Sequence, residues 1–377
     1  MKNILIISPN FPPEVCGVGD YTFELASYLS SFNNVGIICS DNEKIRQKSV
    51  SLNFNVYPII AKWNWTSINL ILKKIEEEKP DYILVQYVPY LYQKKGMPFF
   101  LLGLYWLLYK KKYRVITFFH ELWIPFKTIN IKWILLGFIQ RCITTAIAFF
   151  SAACITSIDF YKERLKKINK NIFLIPIGSN INRAINIDLV NAIITKFELT
   201  GNKIIIVFGS RRYKELINLL TPVLDIESNM KLVILGKTQI NKEHQIDNKR
   251  IVITGYLSSE DIAAFLSLAN VYIAFDPNEG NKGGTSLKSG ALAAAFRYGL
   301  PIIGTSGNMN DEILLKESAV IWSDFRSSAD LIDKIQFILN NTETNKSLEK
   351  SAISFYKKYL DWKIIASEYG KIFNHNF

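Results

Sequence analysis

The chain has 377 residues and a mass of 43.2 kDa, which is too long for one ordinary hydrophobic core and predicts two domains. Hydrophobic residues make up 49% and charged residues 21%, which excludes a disordered or low-complexity protein, and the formal net charge is +12. The four cysteines, at 16, 39, 142 and 154, form no CxxC pair, so a disulfide scaffold or zinc module is not expected.

The predicted elements start with a short apolar run, residues 4–7, which ends in a Pro-rich segment. This run is too short for a secretory signal peptide, so we expect a cytoplasmic protein. Short β-branched runs then alternate with helical stretches, the pattern of parallel sheets with crossover helices. Predicted strands cover 4–8, 35–40, 55–60, 82–86, 114–120, 152–156 and 172–175, and after a restart 203–208, 231–235, 250–254, 271–275, 301–304 and 319–321.

Two sets of the same βα rhythm predict an α/β protein with two Rossmann-like domains and a cleft between them. We expect a first domain over residues 1–182 and a second over 183–354. The last stretch, 355–377, is rich in aromatic residues and is expected to pack back on the first domain. Because ligands of open α/β sheets bind beyond the carboxyl ends of the strands, the loops after strands are the places to search for a site.

The loop after the first predicted strand contains Gly17 and Gly19 just before a helix expected to begin near Asp20. A helix N-terminus with free N–H groups suits an anionic ligand, but a GxG pair is as often an ordinary tight turn. The third glycine of the dinucleotide fingerprint is missing, which counts against NAD or FAD.

Two loops of the second half carry further candidates. Arg211, Arg212 and Lys214 follow a predicted strand, where a ligand phosphate would lie, although solvated surface charge is the plain alternative. The segment 279–290 contains glycines, hydroxyls and a lysine before a helix of small residues. Such a segment can cradle an oxyanion without a metal, and it is not a Walker loop.

His120 ends a predicted strand and is one of three histidines. Its position is that of a catalytic residue, but a histidine at a strand end is as often a plain hydrogen-bonding residue. His244 and His375 receive no role.

Basic residues cluster in one stretch of the chain. Residues 94–170 hold 14 basic and 3 acidic residues, a net charge of +11, and the same stretch holds the apolar runs 97–109 and 142–155. Neither run reaches the roughly 18–20 residues that span a bilayer, so no transmembrane helix is expected. Buried helices are the plain interpretation of both runs, whereas an anionic membrane surface is the functional one. No DNA- or RNA-binding motif accompanies the charge, so nucleic acid is not an expected partner.

Taken together, these loops resemble the retaining glycosyltransferases of family 4, which have the GT-B fold. The resemblance covers nearly the whole chain and rests on the order and spacing of several segments. They are PPEVCGVGDYTFELA at 12–26, VQYVPYLYQKKGMP at 85–98, FHELWIPF at 119–126, LIPIGSNI at 174–181, FGSRRYKEL at 208–216, ITGYLSSEDIAAFLSLANVYIAF at 253–275 and GTSLKSGALAAAFRYGLPII at 284–303.

The resemblance implies transfer of a sugar from a UDP- or GDP-linked donor, bound mainly by the second domain, to an acceptor bound mainly by the first. It implies catalytic roles for His120 beside the transferred sugar and for Arg211 or Arg212 with Lys214 at the departing diphosphate. No metal or other cofactor is implied, because cations and a helix N-terminus would stabilise the diphosphate. The implied donor-binding residues are Gly17, Gly19, Tyr256, Leu257, Asp276, Glu279, Ser286, Lys288, Ser289, Gly290 and Ala291.

The sequence departs from the family pattern at two places. The usual pair of glutamates eight residues apart would fall near Ser286 and Ala294, where no acid stands, and Asp276 or Glu279 is a candidate substitute. The phosphate-binding arginine and lysine are also closer together than is commonest in the family, which leaves the choice between Arg211 and Arg212 open.

The leading hypothesis is a hexosyltransferase that builds a surface polysaccharide, of the O-antigen or capsule kind, on a lipid-linked or oligosaccharide acceptor. It would work in the cytoplasm as a peripheral protein on the inner face of the cytoplasmic membrane, held through residues 94–170. The alternatives are a GT-B-like sugar-nucleotide epimerase and a non-catalytic nucleotide- or glycan-binding subunit.

Overall fold

In the computed structural model, residues 1–49, 51–124, 131–209, 213–226, 228–236, 249–277 and 282–375 are described, with the backbone alone at 48, 49, 213, 214 and 226. The chain forms two compact units, Met1–Ile177 with Trp362–Phe377 and Gly178–Asp361. The divisions therefore fall at 178 and 362, a few residues from the positions 183 and 355 that the sequence suggested.

The first unit is a succession of βα units. Its elements are β1 (Asn3–Ile7), α1 (Gly17–Leu29), β2 (Asn34–Ser40), α2 (Glu43–Ser49), β3 (Asn55–Ile60), α3 (Ser67–Glu78), β4 (Tyr82–Tyr87), α4 (Pro89–Tyr92), α5 (Phe100–Lys110), β5 (Val115–Phe119), α6 (Ile131–Phe150), β6 (Ala153–Thr156), α7 (Asp159–Leu165) and β7 (Ile172–Leu174). The strands pair in parallel in the order β3-β2-β1-β4-β5-β6-β7. Ile6 lies between Ile37 and Leu84, and all six residues of β4 are buried, as expected for a parallel sheet covered on both faces.

The second unit repeats this arrangement. Its elements are α8 (Ile187–Lys196), β8 (Lys203–Phe208), α9 (Tyr213–Ile226), β9 (Met230–Leu235), β10 (Ile251–Ile253), α10 (Ser259–Leu268), β11 (Val271–Ala274), α11 (Gly290–Tyr298), β12 (Ile302–Thr305), α12 (Glu312–Lys316), β13 (Ile321–Ser323), α13 (Ser328–Asn340), α14 (Thr342–Phe355) and a π-helical turn (Tyr356–Leu360). The strand order is β10-β9-β8-β11-β12-β13, all parallel. Val207 of β8 lies between Ile234 and Ile273 in the buried centre of this sheet.

The predicted fold class, with two Rossmann-like domains, is confirmed. Every strand found in the described ranges overlaps a predicted one. The largest difference is β13, which occupies 321–323 instead of 319–321, because Ile321, Trp322 and Ser323 are the residues that pair with β12.

The last helix, α15 (Trp362–Phe373), belongs to the first unit. The Trp362 ring stacks on Tyr28, and the Tyr369 hydroxyl lies 3.0 Å from that of Tyr21. Phe355, where the returning segment was expected to begin, instead stacks on Phe296 in the core of the second unit, with ring centroids 4.6 Å apart. The segment that packs on the first unit is therefore shorter than expected.

One helix in the described part of the chain, α6, is long and apolar enough to cross a membrane by length and composition. It has 20 residues because it starts at Ile131. The sequence-based estimate of its length used only the apolar run 142–155, which begins 11 residues later. One third of its most apolar window is buried in the protein. The expectation that no segment reaches spanning length was therefore wrong for this helix.

Candidate functional site

Each sheet reverses its strand order once, and open α/β sheets bind ligands at the loops that follow the strands at this point. The reversal lies between β1 and β4 in the first sheet and between β8 and β11 in the second. The loop after β1, the loop after β8 and the loop after β11 are three segments that the sequence had singled out. The topology therefore supports the choice of these loops within each unit.

The loop after β1 leads directly into α1. This helix begins at Gly17, three residues before the predicted start, so Gly17 and Gly19 form its first turn instead of preceding it. A Cβ atom on Gly19 would lie 3.2 Å from the carbonyl group of Asn10, whereas one on Gly17 would meet no atom within 4 Å. Glycine at 19 thus permits the close approach of helix and loop, and the surroundings of Gly17 are open.

The N-terminus of α1 carries no side-chain cap from its N-cap residue Cys16, so its first N–H groups lack partners within the helix. The adjoining loop is fixed by Glu14, whose carboxylate accepts hydrogen bonds from Asn10 Nδ2 at 3.0 Å and Asn42 Nδ2 at 2.9 Å. Asp20 already places a carboxylate in the first turn. Because this charge opposes a second anion, the N-terminus of α1 suits hydrogen bonding to a ligand better than binding of a phosphate.

His120 follows β5 and lies against the end of β4. Its Nε2 is 2.7 Å from Gln86 Oε1, and its backbone N–H donates to the carbonyl of Tyr87 at 3.1 Å. The imidazole packs on the Phe118 ring at 4.2 Å between centroids and against the edge of Tyr21 at 5.2 Å. With Gln86 Oε1 as the acceptor, Nε2 carries the proton and Nδ1 retains its lone pair, and in this arrangement Gln86 Nε2 is buried without a partner.

Burial lowers the pKa of His120 to about 3, and the nearby Glu121 carboxylate only partly opposes this effect. The imidazole is therefore neutral at pH 7. Glu121 itself accepts a hydrogen bond from the Tyr161 hydroxyl at 2.6 Å. A neutral histidine with a bare Nδ1 can accept a hydrogen bond from a substrate hydroxyl, but it supplies no positive charge.

The loop after β11 in the second unit is held by a buried network of hydroxyl groups. The carbonyl of Ala274, the last residue of β11, accepts hydrogen bonds from Thr285 Oγ1 at 2.9 Å and Thr305 Oγ1 at 3.0 Å. The backbone N–H of Asp276 donates to Thr305 Oγ1 at 2.9 Å. The buried Asp311 carboxylate accepts from the backbone N–H of Leu287 at 2.7 Å. The returning half of the loop is therefore rigid before any ligand binds.

Gly284 is the point at which this loop requires glycine. Its φ of +106° is a conformation that side chains disfavour, and a Cβ atom there would lie 2.8 Å from Gly307 Cα. Gly307 is equally constrained, because its own Cβ would lie 2.3 Å from the carbonyl oxygen of Gly283. The two backbones thus meet without any intervening side chain.

The rigid segment ends at the N-terminus of α11. Ser289 is the N-cap, and its hydroxyl accepts a hydrogen bond from the Leu292 N–H at 3.2 Å. The N–H groups of Gly290 and Ala291 come before the first intrahelical bond, and the first turn contains no acidic residue. Of the two helix ends that the sequence proposed, α11 therefore offers the better electrostatic environment for a diphosphate.

The other predicted donor-binding residues fall into two places of the second unit. Asp276 is exposed and lies beside Gly284, whose N–H donates to its carbonyl at 2.9 Å, while the Ser286 side chain is buried and Lys288 is half-buried. Tyr256 is exposed and Leu257 packs on the core after β10, three strands away from β11. At the usual strand spacing this separation is about 14 Å.

Ala294, where the family pattern would place the second glutamate, is fully buried in the core of the second unit. A carboxylate in this environment would be costly, which agrees with its absence. Arg211, Arg212 and Glu279 lie outside the described residues, and Lys214 is described by its backbone alone, as the second residue of α9.

Sequence reasoning missed Gln86 and the buried polar residues Thr305 and Asp311, while Thr285 lay within the candidate segment 279–290. Gln86 had a visible signal, since it is the single amide in the otherwise apolar or aromatic strand YILVQY. Thr305 and Asp311 stabilise the loop segment that ends at Leu287, but both lie 18 or more residues after Leu287 in the sequence. No local sequence pattern therefore reveals their role.

The model of the family described as Glycosyl transferases group 1 matches residues 191–355, which make up most of the second unit. This segment contains the loop after β11 and the N-terminus of α11. Residues 191–355 are therefore similar to the group 1 glycosyl transferases. No curated protein matches the sequence significantly.

Solved structures extend the likeness to the whole chain. The sucrose-phosphate synthase of Thermosynechococcus elongatus is 14% identical with a TM-score of 0.72, and the alignment covers 99% of this chain and 98% of that one. Anabaena HepE, solved with UDP and glucose, is 12% identical with a TM-score of 0.72 over 99% and 100% of the chains. WaaG, a glycosyltransferase involved in lipopolysaccharide biosynthesis, is 12% identical with a TM-score of 0.65 over 99% and 100%. The protein thus has the GT-B fold.

Proposed function

We propose that this protein transfers a hexosyl group, with retention of configuration as in family 4, from a nucleotide-sugar to a glycan acceptor. The observation that carries the proposal is the match of residues 191–355 to the group 1 glycosyl transferases. The matched segment includes the rigid loop and helix N-terminus at the strand-order reversal of the second sheet. Glycosyl transfer from such a donor leaves negative charge on the diphosphate, and this helix end carries the matching partial positive charge.

The donor is proposed to be UDP- or GDP-linked. Anabaena HepE binds UDP and UDP-glucose with the same fold, which favours UDP. The diphosphate would accept hydrogen bonds from the backbone N–H groups of Gly290 and Ala291, and from that of Ser289 only if it left the Ser286 carbonyl, to which it donates at 3.3 Å. The base would lie beside Tyr256 and Leu257. Arg211 or Arg212 with Lys214 would neutralise the departing diphosphate, with no metal required.

His120 is proposed to act at the transferred sugar. Its neutral state supports hydrogen bonding from a sugar hydroxyl to Nδ1 and argues against a role as the cation at the diphosphate. The positive charge at the diphosphate would then come from the arginine and lysine side chains and from the N-terminus of α11.

The acceptor is proposed to be a lipid-linked glycan of the O-antigen or capsule kind, approached from the cytoplasmic side of the membrane. The net charge of +11 over residues 94–170 supports an anionic membrane surface as a partner of the first unit. The part that WaaG plays in lipopolysaccharide biosynthesis agrees with such an acceptor.

The test starts with thermal-shift measurements on UDP- and GDP-sugars, followed by incubation of the stabilising donor with a lipid-linked glycan. We expect free nucleoside diphosphate to appear only with acceptor, and the product to keep the anomeric configuration of the donor by NMR. Interconversion of the donor without acceptor would establish an epimerase instead. Donor binding without any turnover would favour the non-catalytic subunit, and an inverted product would refute retention.

A further inference from the structure

Helix α6 exposes a strip of large apolar side chains, and its buried face combines the apolar residues Ile143, Ile147 and Ala148 with two polar ones. The face turned toward the protein contains Gln140 and Thr144, both fully buried. The face turned outward is apolar, and its exposed large side chains are Ile131, Trp133, Ile134, Leu135, Phe138 and Phe149. An amphipathic helix normally buries its apolar face, so this outward face is suited to a non-aqueous environment.

The inner face is fastened to the first unit by hydrogen bonds. Thr144 Oγ1 donates to the carbonyl of Leu122 at 3.0 Å and lies 3.1 Å from the Tyr87 hydroxyl. Gln140 Oε1 accepts from the backbone N–H of Ile124 at 2.9 Å. If α6 crossed a bilayer, it would lose these bonds and carry two polar side chains into hydrocarbon, at a cost of several kcal/mol by general transfer data.

Helix α5 extends the apolar surface beside α6. Tyr109 near its end packs on Phe150 of α6 with ring centroids 5.5 Å apart, and the side chains of Trp106 and Tyr109 are exposed. Neither helix contains an acidic residue. We call the exposed side chains of Trp106, Tyr109, Trp133, Ile134, Leu135 and Phe138 the α5–α6 surface.

Cations accompany this surface. Lys132 and Arg141 are exposed on α6, and Lys110 and Lys112 are exposed at the end of α5. Lys111 between them is paired with Glu76 of α3 at 2.8 Å. The Lys110 ammonium lies 5.3 Å from the Trp106 ring centre, and the Arg141 guanidinium lies 5.7 Å from that of Trp123. Aromatic rings interleaved with lysine and arginine are the composition that favours the headgroup region of a membrane.

We propose that the α5–α6 surface docks on an anionic bilayer, with α6 lying along the membrane surface and not across it. The proposal deepens the proposed function, since it rests on a lipid-linked acceptor and names the surface that meets the lipid. The occupant is a lipid surface because the apolar side chains are accompanied by cations without acids on either helix, which matches anionic headgroups above an acyl layer.

The experiment measures binding of the full chain to vesicles of phosphatidylcholine with and without phosphatidylglycerol, in the absence of donor and acceptor. Phe138→Glu is the test variant, and Phe337→Glu on α13 is its matched control, since both phenylalanines lie on helices and are 58% and 54% exposed. Phe138→Glu is expected to lower the partition coefficient by on the order of tenfold or more. Lys132→Gln is expected to lower it about fivefold at low salt and less at high salt. Phe337→Glu is expected to bind like the wild type.

The orientation of α6 is tested by alkaline carbonate extraction and by a fluorescent label on Cys142, the exposed cysteine of this helix. We expect carbonate to release the protein from the vesicles. The label is placed in a Cys16→Ser background, and we expect lipids brominated near the headgroup to quench its fluorescence best. Retention after carbonate would establish a spanning helix and overturn the proposal. Equal loss of binding in both phenylalanine variants, no binding of the wild type, or a dimer that Phe138→Glu converts to a monomer would overturn it as well.

These outcomes are separate from the fate of the proposed function. Phe138→Glu should still turn over a short, water-soluble acceptor if the protein is a transferase, while it loses vesicle binding. A wild-type protein that binds vesicles without any transfer would refute the proposed function and leave the docking surface intact.

Discussion

Gln86→Glu is the substitution that best tests the environment of His120. It replaces an amide oxygen 2.7 Å from His120 Nε2 by a carboxylate of nearly the same shape. At this distance and an effective dielectric constant of about 20, the attraction between the carboxylate and a protonated imidazole is about 6 kcal/mol. Burying the new charge offsets part of it, so we expect the pKa of His120 to rise by about 2–3 units, from about 3 to about 5–6.

The stability of the protein should follow the same change. Because the pKa of His120 is lower in the folded state than its ordinary value of 6.5, the unfolded chain binds the proton first as the pH falls. The wild type should therefore lose stability between about pH 6.5 and pH 3, by at most about 1.4 kcal/mol per pH unit from this group. In Gln86→Glu the gap between the two pKa values is smaller, so the loss attributable to His120 should be smaller too.

The assay is an NMR titration of the imidazole signals, which is practical because the chain has three histidines. Gln140→Glu serves as control, since Gln140 is another fully buried glutamine of the first unit with a different partner, the Ile124 N–H. A wild-type His120 that titrates near pH 6.5 would refute the reasoning. An unchanged pKa of His120 in Gln86→Glu would refute it as well. The new carboxyl group would then be protonated and would not attract the imidazolium.

Three further outcomes are expected. Gly284→Ala should destabilise the protein by about 1–3 kcal/mol in chemical denaturation because of its positive φ and the contact with Gly307, whereas Gly370→Ala, with no atom within 4 Å, should not destabilise it. Lys214→Ala should lower the rate of transfer by on the order of 10²–10³ with an unchanged unfolding curve, and wild-type turnover would remove Lys214 from the site. Chelation by EDTA should leave transfer unaffected, and a loss restored by a divalent cation would show that the diphosphate needs a metal.

Much of the fold could be predicted from sequence because parallel strands are buried on both faces and appear as short runs of Ile, Val and Leu. Strand bounds at the sheet edges were harder, since Ala319 and Val320 are as buried and apolar as a strand but lie outside the pairing with β12. The start of α1 was missed for a related reason. Glycine disfavours a helix by propensity, and only the packing of Gly19 against Asn10 reveals why the first turn includes it.

The loops that follow the strands at the two strand-order reversals were visible in the sequence, but the residues that support them were not. The position of His120 at a strand end was visible in the sequence, whereas its neutral state depends on burial, and its hydrogen-bond partner Gln86 lies 34 residues away. The apolar character of α6 was visible too. Its orientation was not, because a continuous apolar run does not indicate which side chains face solvent.

The return of α15 to the first unit has a consequence for the order of folding during synthesis. The hydrophobic core of that unit includes Trp362, Ile365, Tyr369, Ile372 and Phe373, which are synthesised after the whole of the second unit. The unit that begins the chain is therefore completed only after the intervening Gly178–Asp361 unit has been made. Nascent chains arrested before residue 362 should contain a protease-resistant second unit beside a first unit that is still open to cleavage.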